Sequence, residues 1–260
     1  MGDFMIVSII IPSYRRHLLL RVGLLSIAAQ NIKYDYEIIV LNDGIIDGTA
    51  EVCMEFPQLN IRHIFTGQRN LKGLQWRCPS YALNIGIKQA KGKYLLLTSP
   101  EIYYLTPNCI NNMIENALDP ENEQQMIVPG KGYDDQVGVI TKQLLHGEKI
   151  DIKEASIDNL NIQFPFSLIV EKQILMDIGG YDEDFTGYCY DDADLIRRLH
   201  IYGCRYCIVS GEKIIHLYHG SRKIREGLTD KTKKLNHNCK LYEDKKDEVI
   251  RNVDKEWGVL

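Results

Sequence analysis

The chain has 260 residues, 45% of them hydrophobic and 25% charged, with a net charge of −4 at pH 7. It is long enough to bury roughly three-quarters of its unfolded surface in one large α/β domain or two small ones, and too apolar to be disordered. The acidic balance excludes a dedicated nucleic-acid binder, so any anion recognition must come from local basic clusters.

"FMIVSIIIPSY" is an apolar run with no basic segment before it and Pro12 inside it, which reads as a first strand and not as a signal peptide. "RRHLLLRVGLLSIAAQ" follows with helical spacing, interrupted by Arg21 and so unsuited to a membrane span, and "YEIIVLNDG" is a second strand. "GTAEVCMEFP" reads as a short helix, "NIRHIFTG" as a strand, "SYALNIGIKQAKG" as a helix closed by Gly92, and "KYLLL" as the next strand. This alternation predicts a mostly parallel central sheet with helices on both faces and a ligand at the carboxyl ends of the strands. "NCINNMIENAL" is a further helix and "QMIVPG" a strand, while residues 134–159 read as a variable connection. "PFSLIVEKQILMDIGGYDEDF" restores order, "DDADLIRRLHIYG" has the spacing and terminal Gly of a helix, and "CRYCIVS" is a strand. The highly charged tail ends in "KDEVIRNVDKEWGVL", a candidate helix.

Seven scattered cysteines form no disulfide framework and favour a reducing, cytoplasmic setting. Cys204 and Cys207 make a lone C-x-x-C in a β-rich stretch, where residues three apart face opposite ways, so they are not read as a zinc or redox pair.

Polar residues collect where the strands end: Pro12, Ser13 and Tyr14; Asn42, Asp43 and Gly44; Ser99, Pro100 and Glu101. In a parallel sheet these ends converge on one edge, a place for a base, a ribose and a phosphate. Neither a P-loop nor a G-x-G-x-x-G is present, so a nucleotide must be held by side chains and a metal. Further on, Asp182, Glu183, Asp184, Asp191, Asp192 and Asp194 precede or open a helix. Helix capping accounts for some of them, and the adjacent pair Asp191 and Asp192 is also suited to proton transfer. His216 and His219 are followed by Arg222, Lys223 and Arg225, a set suited either to a solvated loop or to a metal-bound diphosphate.

Four blocks in order, "VSIIIPSYRR", "YEIIVLNDGIIDGT", "ALNIGIKQAKGKYLLL" and "GGYDEDF…YDDADLIRRLHIYG", resemble the family 2 glycosyltransferases over about residues 6–220. The resemblance implies an α/β fold of the GT-A type, with a nucleotide-binding half of about 1–105, an acceptor-binding half of about 106–220, and 221–260 as a charged, helical appendage packed on the same domain. It implies transfer of a sugar from a nucleotide-sugar, a UDP-sugar above all, with inversion, to a glycan, lipid-linked or protein-linked acceptor. Asp192 matches the general base and Asp191 its companion; Pro12, Ser13, Tyr14, Arg15, Asp43, Gly44, Arg77, Ser99, Glu101, Arg222 and Lys223 match the donor side. Gly180, Tyr181 and Asp182 match the loop beneath the acceptor, and Glu101 with His216, or His219 as competitor, the site of a Mn²⁺ or Mg²⁺ ion. No nucleic-acid partner and no transmembrane segment is expected, and peripheral membrane association is compatible with a lipid-linked acceptor.

The chain departs from the family pattern in three places. Asn42 replaces the first acid of D-D-G, Ile45-Ile46-Asp47 replaces the usual S-x-D, and Ser99-Pro100-Glu101 stands where the family has D-x-D, which lowers the expected metal affinity. A catalytically degenerate GT-A domain that binds nucleotide-sugar or glycan without turnover is the alternative. A sugar-nucleotide pyrophosphorylase would want glycines that "PSYRRHLLL" lacks.

Overall fold

In a computed structural model, which describes residues 5–68, 78–150, 158–187, 189–220 and 231–260, the apolar runs of the first half lack polar alternation because both faces of the sheet are covered. The strands β1 (Val7–Ser13), β2 (Tyr36–Gly44), β3 (Ile61–Gln68) and β4 (Tyr94–Thr98) pair in parallel in the order β3-β2-β1-β4. Ile9, Ile11, Ile38, Val40 and Leu96 face a layer made by α1 (His17–Ala28), α2 (Thr49–Met54) and α4 (Cys109–Leu118). Their neighbours Ile10, Ile39, Leu41, Leu95 and Leu97 face α3 (Pro79–Gln89), α6 (Lys172–Asp177) and α7 (Asp191–Tyr202).

The second half extends the sheet with β5 (Ile102–Tyr104), β6 (Met126–Asp134), β7 (Asp158–Leu160), β8 (Ser167–Glu171) and β9 (Tyr206–His216), giving the order β3-β2-β1-β4-β8-β6-β9-β5 with β7 on β6. The α/β class holds, but only the first four strands are all parallel. β8 runs antiparallel to β4 and β6, β9 is parallel to β6, and β5 is antiparallel to β9.

Three element boundaries differ from the sequence reading. α3 stops at Gln89 because Ala90 is already extended, so Gly92 does not cap it. The connection 134–159 contains a short helix, α5 (Val139–Leu145), whose first-turn donors are met by Asp135. In the tail the helix is α8 (Lys231–Asp244), and most of 245–260 is irregular. The backbone there is drawn to other groups: Arg251 N–H donates to Ile178 O, and Asn252 sits at φ 55°.

Gly86 of α3 lies against β1, where an added Cβ would fall 2.4 Å from Ile10 Cγ2 and 3.0 Å from Leu41 Cδ1. Overpacking of this kind costs about 1–3 kcal/mol, against about 1 kcal/mol gained in helix propensity. Gly86→Ala is expected to lower the urea midpoint; an unchanged or higher midpoint would mean that Ile10 repacks at no cost.

Candidate active site

The polar strand ends do meet. Ser13 and Asn42 are register partners across β1 and β2, and the Ser13 and Thr49 hydroxyls are 3.2 Å apart. Asp43 is buried and accepts a hydrogen bond from the Thr66 hydroxyl. Asn42 Oδ1 and Ser99 Oγ are buried without a hydrogen-bond partner, the condition of atoms that a ligand can satisfy. Arg15, next to Tyr14, is held at φ 53°, and Gly44 takes φ 85° where β2 slips against β3. Left-handed backbone at a bulky residue such as Arg15 is costly and concentrates at functional loops.

β5 and β6 flank β9 so that His216 pairs with Ile102 on one side and Asp134 on the other. That register brings Glu101, Asp134, His216 and His219 to one edge. His216 Nδ1 lies 2.8 Å from Asp134 Oδ1, and the two imidazoles stand perpendicular with centroids 5.1 Å apart. Arg16 Nε donates to Glu101 Oε1 at 2.8 Å, and its Nη2 is 3.3 Å from His219 Nδ1. Burial pushes the Glu101 carboxyl up, but His219, Arg16 and His216 outweigh it and hold it below the ordinary carboxylate range. Among the described residues no group of three or more His, Cys, Asp or Glu side chains is arranged to hold a metal. Glu101 and His216 nevertheless fit a two-ligand site that substrate phosphates complete, because an imidazole bonded to a carboxylate through one nitrogen offers the other as a ligand.

The acid pair opens α7, behind Cys189 and Tyr190 at φ 70° and 73°. The Cys78 thiol donates to Asp191 Oδ2 at 2.9 Å, and the Tyr181 hydroxyl is 3.5 Å from Asp192 Oδ1. Burial, reinforced by the Asp191 charge, pushes the Asp192 carboxyl well up, and burial also raises Asp191. A carboxylate whose proton affinity is raised in this way is a stronger base than one in water.

The loop of Gly180, Tyr181 and Asp182 departs from expectation. Tyr181 is fully buried, and Asp182, expected beneath the acceptor, is 1% exposed, with its carboxylate taken by Lys245 (2.8 Å) and Arg251 (3.0 Å). It therefore positions the loop and does not face a ligand. Asn84 pins the same loop by donating to Tyr181 O and accepting from Tyr181 N–H. Arg77, Arg222 and Lys223 lie outside the described residues. The sequence reading assigned no role to Arg16, Cys78, Asn84, Asp134 or Arg251. Two carried a signal, Asn84 by its place in "ALNIG" and Arg16 as the last residue of "PSYRR". No described helix is long and apolar enough to cross a membrane.

The model of "Glycosyl transferase family 2" matches residues 8–169, and "N-terminal domain of galactosyltransferase" matches 166–220. The chain is 25% identical to the chondroitin synthase of Escherichia coli, covering 95% of this chain and 39% of that protein. It is 31% identical to the uncharacterized glycosyltransferase RP339 of Rickettsia prowazekii, over 72% of this chain and 56% of that one. It thus spans less than two thirds of either relative. Among solved structures, S. aureus TarS superposes with a TM-score of 0.62 at 15% identity, covering 93% of this chain and 39% of TarS. The mannosyltransferase PcManGT from Pyrobaculum calidifontis, in complex with GDP-Man and Mn2+, superposes at 0.58 with 16% identity, over 92% of this chain and 64% of that one. These likenesses show the GT-A fold.

Within the site the tightest geometric constraint is the tail. Gly179 takes φ 76°, and a Cβ there would lie 2.1 Å from Arg251 O, so the two backbones touch. Arg251 also bonds Asp182 at 3.0 Å and Asp194 at 2.9 Å, with both partners buried. Removing one member of a buried ion cluster costs about 3–5 kcal/mol. Arg251→Ala should show a loss of that size in urea unfolding, and a loss below about 1 kcal/mol, the value of an exposed pair, would mean that the cluster is solvated.

Proposed function

The chain belongs to glycosyl transferase family 2, and on that premise we propose that it transfers a sugar from a nucleoside-diphosphate sugar, preferentially a UDP-sugar, to a hydroxyl of a glycan, lipid-linked or protein-linked acceptor, with inversion. The observation that carries this reading is the acid pair at the start of α7, Asp191 buried and Asp192 half-buried beside it, where desolvation and the Asp191 charge push the Asp192 carboxyl well above the ordinary carboxylate range. Asp192 takes the proton of the acceptor hydroxyl as its oxygen forms a bond to the anomeric carbon. The bond from that carbon to the diphosphate breaks on the opposite face, and its electron pair leaves with the diphosphate. Asp191 keeps the Asp192 proton affinity high, and the Tyr181 hydroxyl orients the base.

Pro12, Ser13, Tyr14, Arg15, Asp43, Gly44 and Ser99 line the donor side, where the unpartnered Asn42 and Ser99 atoms await polar groups of the nucleotide. Arg77, Arg222 and Lys223 are assigned to the donor and its diphosphate on the family pattern. Glu101 and His216 would hold a divalent cation, which supplies positive charge to the departing diphosphate. His216 is preferred over His219, whose Nδ1 accepts from Arg16 and so leaves the proton on the other nitrogen. A second reading, a GT-A domain that binds without turnover, is favoured by one observation, the Arg16 to Glu101 ion pair that already neutralises the surviving acid.

Asp192→Asn is expected to lower nucleoside-diphosphate release by about 10²–10⁴-fold, and unchanged turnover would remove Asp192 from the base role. Because the base works deprotonated, the acid limb of kcat/KM should lie above the ordinary carboxylate range. The stability effect has the opposite sign. A carboxyl whose folded pKa is raised leaves stability unaffected below its unfolded value and costs stability as pH rises through the folded value. Asp192→Asn should therefore raise the melting temperature at neutral pH and lose that advantage near pH 4, and a variant less stable at pH 8 would contradict the assigned burial. For the metal, calorimetric titration with UDP should be tighter in Mn²⁺ than in EDTA; identical curves would remove Glu101 and His216 as ligands. Donor binding with no turnover across a broad acceptor panel would establish the second reading.

A further inference from the structure

We infer that the outer face of α7 carries a binding site for a carboxylate-bearing saccharide, a uronic-acid unit of the acceptor chain remote from the reacting hydroxyl. The inference rests on the glycosyltransferase reading and extends it to the acceptor class.

The buried side of α7 is Asp191, Asp194, Leu195, Arg198 and Leu199. Ala193, Ile196, Arg197, His200 and Ile201 repeat that spacing two residues later and so face the other way, into a cavity of ≈ 540 Å³. The turn at Asn161, Gln163 and Phe164 closes one wall, Arg205 and Tyr206 a second, and Tyr242 of α8 a third. The volume suits a small organic ligand and is far more than an isolated inorganic anion fills.

Among the described residues, two arginines and His200 line this cavity and no carboxylate does, although the whole chain is acidic. Arg197 belongs to the ion cluster behind the helix, in which Arg197, Arg198, Lys245, Arg251 and Lys255 outnumber Asp182, Asp184, Asp194 and Glu248 by one. Arg197 is the member of that cluster on the cavity side, and its Nε is buried without a hydrogen-bond partner. Arg205 Nη1 donates only to the carbonyls of His200 and Cys204, neutral groups that leave the guanidinium charge uncompensated. His200 Nδ1, 3.0 Å from Cys204 O, must carry the proton of that bond, which frees Nε2 to accept from a hydroxyl.

The remaining walls suit a sugar ring. Tyr206, edge-on to His200 at 5.1 Å, and Phe164 offer apolar faces, while the Asn161 and Gln163 amides offer paired donors and acceptors. An arginine fork recognises a carboxylate by paired hydrogen bonds, which selects an acidic sugar over a neutral one. Ala193 directly follows Asp192, and His200 lies eight residues beyond the base, about 12 Å along the helix axis. A chain whose terminal hydroxyl meets Asp192 can therefore reach the cavity with an inner unit.

The test uses the full chain and a hexasaccharide of alternating glucuronic acid and N-acetylglucosamine, its carboxyl-reduced counterpart, and UDP as a competitor. Calorimetry should give at least about tenfold tighter binding of the acidic form. Arg205→Glu and Ile201→Glu, both at exposed rim positions, should each weaken it by at least about tenfold while hydrolysis of a UDP-sugar without acceptor stays unchanged. Equal affinity for the acidic and reduced forms, no binding at millimolar saccharide, unaffected variants, or displacement by UDP would each overturn the inference. Saccharide binding with the expected variant losses but no donor hydrolysis or transfer by the wild type would uphold this site and overturn the parent reading instead.

Discussion

Four charged side chains with almost no solvent contact, Asp182, Asp194, Arg198 and Arg251, set the architecture around the acid pair. Arg198 Nε donates to Asp194 Oδ2 at 2.6 Å, and Arg251 reaches both carboxylates at 2.9 and 3.0 Å. Buried charges are tolerated only when each finds its counter-charge in good geometry. Satisfying these four requires three distant chain segments, the 179–185 loop, α7 and the tail, to arrive together. The tail is thereby built into the site, since Asn252 Nδ2 donates to the carbonyls of Gly179 and Tyr181, and Gly258 N–H donates to Glu183.

The same constraint reaches the first half of the chain through Asn84. Its amide donates to Tyr181 O and to Glu183 Oε1, so the loop is clamped between α3 on one side and the tail on the other. Trp257 adds to this, lying close to where a Cβ on Gly180 would be and stacking under Lys88 at 3.9 Å. Tyr181 is the result: its backbone is fixed on both sides, and its hydroxyl is aimed at Asp192. Pre-organisation of this kind places a base without relying on the ligand to order it.

The element pattern was readable where it rests on local chemistry. The unbroken Ile, Val and Leu runs announce strands covered on both faces, and turn residues after them announce the polar edge. What could not be read is pairing over long sequence separation. Arg16 finds Glu101 across 85 positions and His216 finds Asp134 across 82, contacts set by sheet order and not by spacing. The antiparallel insertion of β8 is likewise invisible, because a buried strand has the same apolar composition in either direction. The tail misled for a related reason. Its charges look like those of a solvated helix, yet Arg251 and Asn252 are consumed by partners about 60 to 70 positions away.

Five of the six acids of this region divide by the partners they receive, and that division carries the functional argument; the sixth, Glu183, accepts from the Asn84 amide and the Gly258 N–H and ties the loop to α3 and the tail. Asp182, Asp184 and Asp194 meet arginines or lysines, so their negative charge is neutralised in place and serves to hold the chain. Asp191 meets a thiol, itself kept protonated because burial pushes Cys78 up, and the backbone N–H groups of residues 191 and 192, while Asp192 meets the Tyr181 phenol. Neutral donors satisfy hydrogen bonding without cancelling charge, so burial, reinforced by the Asp191 charge, keeps Asp192 avid for a proton. An arginine in place of Cys78 would neutralise Asp191 and turn this pair into another structural clamp. On one helix terminus, the choice between guanidinium and thiol separates acids that hold the fold from an acid able to take a proton.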